Sequence, residues 1–431
     1  MHVCTVIARN FLAHARVLAA SLAEHDPDVR CSVLIVDGSE ELDAHEPFSV
    51  LTPGEIGIDE RELARRATMY DARGLVSSTK PRLLSALLAR EPGAVVLLDA
   101  DGCLYASLAG VGDLAEAHSL VLSPHLHEPA PLGAEIGIEQ IVLKAGVMNG
   151  GLVAVAPGAE PFLDWWAQRT ERHCIEDASR GLLLAQLWLT LAPVLFEHHV
   201  LADRGCNVMG WNLYSRDVIW ARDRASIDAT PLRHFHFLGG FDPEHPERLC
   251  PDLRADQFWP LLEERPGVAR LTRDYAARLL TAGFHETRAW ARAHSSLAAV
   301  ASLEPWMRAA YRSALMTAER DGAEQPPNPI EHGEAAFTRW LDSLPPSARW
   351  AHLATPEEQL RGELAALHAD RQALQRDHEA IASRLAVLGD SYRRLEQEHS
   401  ALKQDRRERP SDRDRVIARL RAIGASLRDR G

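Results

Sequence analysis

The sequence predicts an α/β fold on a mostly parallel sheet, extended by helices and followed by a C-terminal coiled coil. Three observations predict it. Short, continuously apolar segments alternate with helical patterns over the first half of the chain. The β signals stop past about residue 255. From Leu360 to Leu402 an apolar residue stands at every seventh position.

The elements follow in order. Val3 to Ala8 reads as a short strand, followed by a helix with apolar positions Leu12, Val17, Leu18 and Leu22. Cys31-Ser32-Val33-Leu34-Ile35-Val36 is a second strand, closed by Asp37-Gly38. A helix from Pro81 to Ala89 leads into the third, Ala94-Val95-Val96-Leu97-Leu98. Strands buried on both faces lose the apolar–polar alternation, so continuous apolar runs separated by helices indicate a parallel sheet. Later strands are expected at Leu120 to Ser123, Gly151 to Ala156 and Leu232 to Phe237. Helical periodicity then runs through Gln257 to His294 and Leu297 to Asp321. The stretch Gln325-Pro326-Pro327-Asn328-Pro329 interrupts it before a short helix ending near Leu344-Pro345-Pro346.

Residues 357–405 change to Leu, Ala, Glu, Arg and Gln. Leu360, Leu367, Leu374, Ile381, Leu388, Leu395 and Leu402 keep a seven-residue interval without a miss. The companion positions are mixed, with Leu364, Leu385 and Tyr392 apolar but Arg371, His378 and His399 polar. Such a repeat predicts a coiled coil and hence a homo-oligomer, and polar companions favour a register-specific dimer or trimer. A solitary solvated helix is the alternative. The expected organisation is 1–255 for the catalytic domain, 256–350 for a helical extension, 357–405 for the coiled coil and 406–431 for a basic tail.

The net charge of −13 argues against a general nucleic-acid binder. The N-terminus lacks the basic start and apolar core of a secretion signal. No uncharged apolar run reaches the roughly 18 residues a bilayer span needs. The six cysteines are scattered without a CxxC pair, as reduced cysteines would be. The expected compartment is the cytoplasm. In the tail, nine arginines accompany Val416, Leu420, Ile423 and Leu427 on one helical face. A cationic amphipathic helix can lie on an anionic membrane, which gives a peripheral contact on its inner face as one reading and a frayed, solvated end as the other.

Three motifs can carry chemistry. Asp99-Ala100-Asp101 follows a buried strand, and ligands gather beyond the carboxyl ends of such strands. Two carboxylates this close suit a Mg²⁺ or Mn²⁺ ion that neutralises a nucleotide diphosphate, though acidic pairs are also common as plain loop residues. In Arg233-His234-Phe235-His236-Phe237-Leu238-Gly239-Gly240 the two histidines share one strand face and the phenylalanines the other. A neutral imidazole is a good partner for Mn²⁺ beside carboxylates; core or surface packing is the bland alternative. Met148-Asn149-Gly150-Gly151 offers an amide for sugar hydroxyls or forms a simple turn.

These motifs, with Thr79-Lys80 and Gln186, resemble in order and spacing glycosyltransferase family 8, which holds glycogenin and bacterial lipopolysaccharide glycosyltransferases. Tyr70-Asp71, Ser123-Pro124-His125, Asp164-Trp165-Trp166 and Trp211-Asn212-Leu213 are similar to bacterial relatives of that clan. The resemblance covers roughly residues 1–255. It implies a GT-A, Rossmann-like fold and transfer of a hexose, with retention, from a nucleotide-diphosphate sugar that is UDP-linked. The acceptor would be a saccharide, a lipid-linked glycan or a protein. Carried over residue by residue, Asp99, Asp101 and His236 would hold Mn²⁺ or Mg²⁺, and Lys80 would steady the donor. Asn149, Gly150 and Gln186 would orient sugar hydroxyls. Ala8, Asn10, Tyr70 and Gly239 would complete the donor pocket. Asp99, Asp101 and Gln186 are thus the expected catalytic positions. Ala185 stands where the family usually has aspartate, Gly74 where an acidic residue is common and Leu238 where serine is frequent. Ala185 keeps open an alternative, a glycosyltransferase-like scaffold acting through its coiled coil.

Overall fold

The computed structural model describes residues 1–38, 42, 45–90, 92–130, 137–177, 180–249, 262–290, 297–345, 356–408 and 412–428. The expected boundary at 255/256, the ends of the Gln257-to-His294 helical stretch, Pro346, Cys250, Arg409 and Arg430 lie outside the described residues. The chain divides into two compact units, Met1–His352 and Leu353–Gly431, so the helical extension belongs to the first.

The first unit is built on a seven-stranded sheet. Its strands, with three short ones (β5, β8 and β9) that lie off the sheet, are β1 (His2–Ile7), β2 (Arg30–Ile35), β3 (Ser49–Leu51), β4 (Val95–Leu98), β5 (Gly102–Leu104), β6 (Leu120–Pro124), β7 (Met148–Val155), β8 (Glu176–Asp177), β9 (Leu182–Leu183) and β10 (His199–Val200). The order across the sheet is β3-β2-β1-β4-β7-β6-β10. Every pairing is parallel except those of β7, which runs against both β4 and β6. The mostly parallel α/β class expected from the sequence is therefore present. Strands β1, β4 and β7 are buried along their whole length, which is why their sequences show no polar alternation.

Two elements depart from expectation. The helix expected to begin at Pro81 begins at Ala72, capped by the Asp71 carboxylate, which accepts from the Gly74 amide; Pro81 lies inside it. Proline cannot donate to the preceding turn, but burial of both flanks holds the helix together across the gap. Met148-Asn149-Gly150-Gly151 is no turn but the start of β7.

Helices α1 (Leu12–His25), α2 (Glu60–Met69), α3 (Ala72–Leu88), α4 (Ala109–His118), α5 (Ile138–Ala145) and α6 (Glu160–His173) accompany the sheet. The extension contributes Pro305–Asp321 and Glu334–Ser343. Tyr311 enters the main core edge-on to Phe337 and Trp340. Arg172 of α6 bridges Glu62 of α2 and Glu319 of the extension, each at 2.7 Å.

The second unit contains one unbroken helix, Pro356–Glu408, and a shorter one, Asp412–Arg428. The heptad segment is thus helical, and in a single chain Leu374, Ile381, Leu388 and Leu395 of its leucine line are exposed. Among the described residues no helix is long and apolar enough to cross a membrane, and the five described cysteines are free.

Candidate metal and donor site

The site forms where β4 ends. Its last residue, Leu98, pairs with Leu152 of β7, and the Asp99 amide donates to the Gly151 carbonyl at 2.9 Å. A turn closed by Gly102 N–H onto the Asp99 carbonyl then reverses the chain into β5. Across β5 lies β14 (His234–His236), reached after the meander β11 (Val218–Ala221), β12 (Arg224–Ile227) and β13 (Thr230–Pro231). The antiparallel register sets His236 opposite Gly102, and the Phe237 amide donates to the Asp101 carbonyl at 2.9 Å. Backbone pairing therefore delivers the late histidine to the early aspartates.

The alternation within β14 holds. Phe235 and Phe237 are fully buried in a second core, where Phe237 stacks on Tyr275 with ring centroids 3.8 Å apart. On the other face the histidines part company. His236 Nε2 lies 3.1 Å from Asp101 Oδ1 and 4.0 Å from Asp99 Oδ2. His234 is sealed beside Gly102, where an added Cβ would lie 2.1 Å from its Nε2, so it has no path to the cluster.

Asp99, Asp101 and His236 each present one ligand atom, all within 4.8 Å of one another. Bonds of about 2.1 Å hold two ligand atoms no more than about 4.2 Å apart, so the set would draw in by a few tenths of an ångström around a divalent ion, and two carboxylates with an imidazole suit Mn²⁺. The Asp99 carboxylate is divided: Oδ1 accepts from Lys80 Nζ at 2.6 Å, and Oδ2 faces the cluster. Lys80 also donates to the Gly150 carbonyl at 3.1 Å, which fixes its direction from the middle of α3. Burial by itself would raise the Asp101 pKa, but the adjacent His236 outweighs it and holds the carboxyl below its usual range. Burial likewise opposes charge on His236, and the Asp101 carboxylate overcomes this to raise its pKa.

Gly151 carries weight that the motif alone did not assign. A Cβ there would lie 2.8 Å from Asn149 Oδ1, 2.8 Å from His236 Cε1 and 2.9 Å from Asp99 Oδ2. Only glycine leaves room for the three to converge. The signal was visible as the doubled glycine, but its spatial neighbours were not.

The other expected residues are placed as follows. Asn149 accepts from the Gly151 amide at 2.6 Å and turns its amide nitrogen toward Met209 Sδ. Gln186 accepts from the Gly150 amide at 3.1 Å and donates to the Ala145 carbonyl at 2.9 Å. Both amides brace the glycine backbone beside the cluster. The Tyr70 hydroxyl bonds to the Thr170 and Glu171 carbonyls of α6 and accepts from the Cys174 amide, a buried structural set. Ala8 is buried at the end of β1, its carbonyl accepting from the Phe11 amide. Asn10 lines a cavity of about 420 Å³ with Phe11, His14, Gly239, Phe284 and Arg288. A Cβ on Gly239 would lie 3.3 Å from Phe11 and 3.6 Å from Asp101 Oδ2, so this cavity borders the carboxylates. Leu238, just before it, holds a left-handed φ of 67°, a conformation disfavoured outside glycine and often kept at functional sites.

Ala185 is 1% exposed and packs in the main core, its carbonyl accepting from Trp166 Nε1 at 2.9 Å. His14, missed by sequence reasoning, is buried against Phe11 and Phe284 at the cavity wall, with neither ring nitrogen hydrogen-bonded.

No protein-family model matches the chain. An uncharacterized protein, YfnD of Bacillus subtilis strain 168, is 25% identical over 249 residues, covering 55% of this chain and 77% of that one. Among solved structures, the galactosyltransferase LgtC with donor and acceptor sugar analogues is 17% identical. That match covers 64% of this chain and 95% of that one, at a TM-score of 0.35. The glycosyltransferase GlyE of Streptococcus pneumoniae TIGR4 is 13% identical, covering 67% of this chain and 64% of that one, at 0.37. Mouse xyloside xylosyltransferase 1 is 14% identical, covering 55% of this chain and 96% of that one, at 0.32.

Proposed function

We propose that the chain is a metal-dependent glycosyltransferase that takes a hexose from a nucleotide-diphosphate sugar, UDP-linked and with retention as the motif resemblance implies. The observation that carries this reading is the Asp99–Asp101–His236 cluster with Lys80 locked onto its outer carboxylate. Asp99, Asp101 and His236 would hold Mn²⁺ or Mg²⁺. Bound there, the ion would neutralise the diphosphate and stabilise the charge it gains on leaving.

The protein groups around it have defined tasks in this reading. Lys80 is a compact cation at the rim, aimed by Asp99 and the Gly150 carbonyl, and suited to a phosphate or sugar oxygen. Gly150 and Gly151 let the backbone approach the sugar closely, with Asn149 and Gln186 stiffening that strand end. The cavity lined by Asn10, Phe11 and Gly239 would take the nucleoside, and the Ala8 carbonyl holds the amide of Phe11 in its wall. No protein nucleophile is assigned. The acceptor classes remain a saccharide, a lipid-linked glycan or a protein.

The test is release of UDP from a UDP-sugar. Stimulation by Mn²⁺ and its loss in Asp101→Ala support the enzyme. A second reading, a scaffold without transfer, is favoured by one observation, the apolar burial of Ala185 where the resemblance implies a carboxylate. Calorimetry that finds no metal-dependent binding of UDP- or GDP-sugars would leave that scaffold standing.

A further inference from the structure

The helix Pro356–Glu408 carries an apolar line that a single chain leaves in water: Leu374, Ile381, Leu388 and Leu395 are 71%, 56%, 65% and 63% exposed. Taking this line as the d positions of a heptad, the a positions are Leu364, Arg371, His378, Leu385, Tyr392 and His399. The g position directly before each polar a residue is acidic, as Asp370-Arg371, Asp377-His378 and Glu398-His399. Leu364, Leu385 and Tyr392 follow Glu363, Arg384 and Ser391.

We propose that this helix pairs with the same helix of a second copy of the chain, parallel and in register. In a parallel pair the hole that receives an a residue is formed in part by the partner's own a residue and the g residue before it. Arg371 would then meet the partner's Asp370, His378 the partner's Asp377 and His399 the partner's Glu398. Each polar layer contains its own counter-charge, so no cation is buried unpaired. An antiparallel pair sets a residues against the partner's d leucines, which strips Arg371 and both histidines of these acids. It also sets Glu363 and Asp370 near Glu398 and Asp405, like against like. A slip of one heptad places Arg371 against Leu364 or His378, and Tyr392 against Leu385 or His399. The charge pattern thus selects direction and register, while the leucine line supplies the burial. The proposal is independent of what the first unit catalyses.

The test uses the full chain. Light scattering should give twice the 47.7 kDa of one chain. The double variant Ile381→Glu/Leu388→Glu should give one chain mass, with the thermal midpoint of the first unit unchanged. Single variants Leu374→Cys and Leu395→Cys should each form disulfide-linked dimers under mild oxidation, above the wild-type background. An antiparallel pair with a against d, centred near residue 383, separates the two copies of residue 395 by about 36 Å, at 1.5 Å per residue, and the two copies of residue 381 by only about 6 Å, so Ile381→Cys would cross-link far more readily. A monomeric wild type, a mass of three chains or more, a double variant that stays dimeric, or cross-linking at 381 without 374 and 395 would each overturn the proposal.

Discussion

Lys80 and Asp99 meet at 2.6 Å at the rim of the cluster, with side chains 10% and 29% exposed. The contact spends one oxygen of Asp99 on the lysine and leaves the other for the cluster. Charged hydrogen bonds of this kind contribute about 1.5–3 kcal/mol. On the proposed function, Lys80→Ala lowers kcat/KM for UDP release by about 10- to 100-fold. Lys80→Arg does not restore it, because the guanidinium cannot hold the same point contact. Steady-state kinetics at saturating Mn²⁺ checks both.

Gly151→Ala forces a methyl within 3 Å of atoms of Asn149, His236 and Asp99. The expected result is a loss of Mn²⁺ affinity of about 10- to 100-fold, the range seen when the support of metal ligands is disturbed. Calorimetric titration of Mn²⁺ measures it. Unchanged affinity in a folded variant would remove Gly151 from the site.

Glu62 answers to pH. Burial would raise its pKa, but Arg172 and Arg66 together outweigh this and lower it. A carboxylate depressed in the folded state stabilises it above the unfolded pKa, and that stability is lost as pH falls through the folded pKa. At neutral pH Glu62→Gln should therefore melt about 1–2 °C lower for each kcal/mol the network loses, given the size of the first unit. The gap to wild type should close below the ordinary glutamate pKa of 4.5. Thermal melts at neutral and acidic pH decide it; a constant gap would disprove the linkage.

The tail makes a separate prediction. Val416, Leu420 and Ile423 are exposed on the helix Asp412–Arg428. If that face rests on an anionic surface, the full chain floats with phosphatidylserine vesicles and a chain ending at Asp405 does not. Equal flotation of the two would leave the tail as a solvated helix.

Much of the fold was legible because burial writes itself into local pattern. The largely apolar strings of β1, β4 and β7, with no polar alternation, stated that those strands lie inside a sheet covered on both faces. The seven-residue leucine interval stated a long helix. Pro81 misled the reading because a proline suggests a helix start, and only the packing of α3 on both sides shows why the helix continues through it. Of the two readings open for Met148-Asn149-Gly150-Gly151, the turn rested only on the residue types that turns favour. The segment is a strand because the sheet buries it and Asp99 borrows its carbonyl.

By itself the sequence determined which residue types could serve: an acidic pair at a strand end, a histidine alternating with core phenylalanines, a lysine and a doubled glycine. Only the tertiary structure decided which of them meet. His234 and His236 are equivalent by alternation, yet the pairing of β14 with β5 seals one beside Gly102 and sets the other on Asp101. Tyr70, Asn149 and Gln186 each hold a backbone hydrogen bond that only the tertiary structure brings within reach. The physical reason is that side-chain chemistry is local, whereas the distances that turn it into a site are set by strand pairing between segments far apart in the chain.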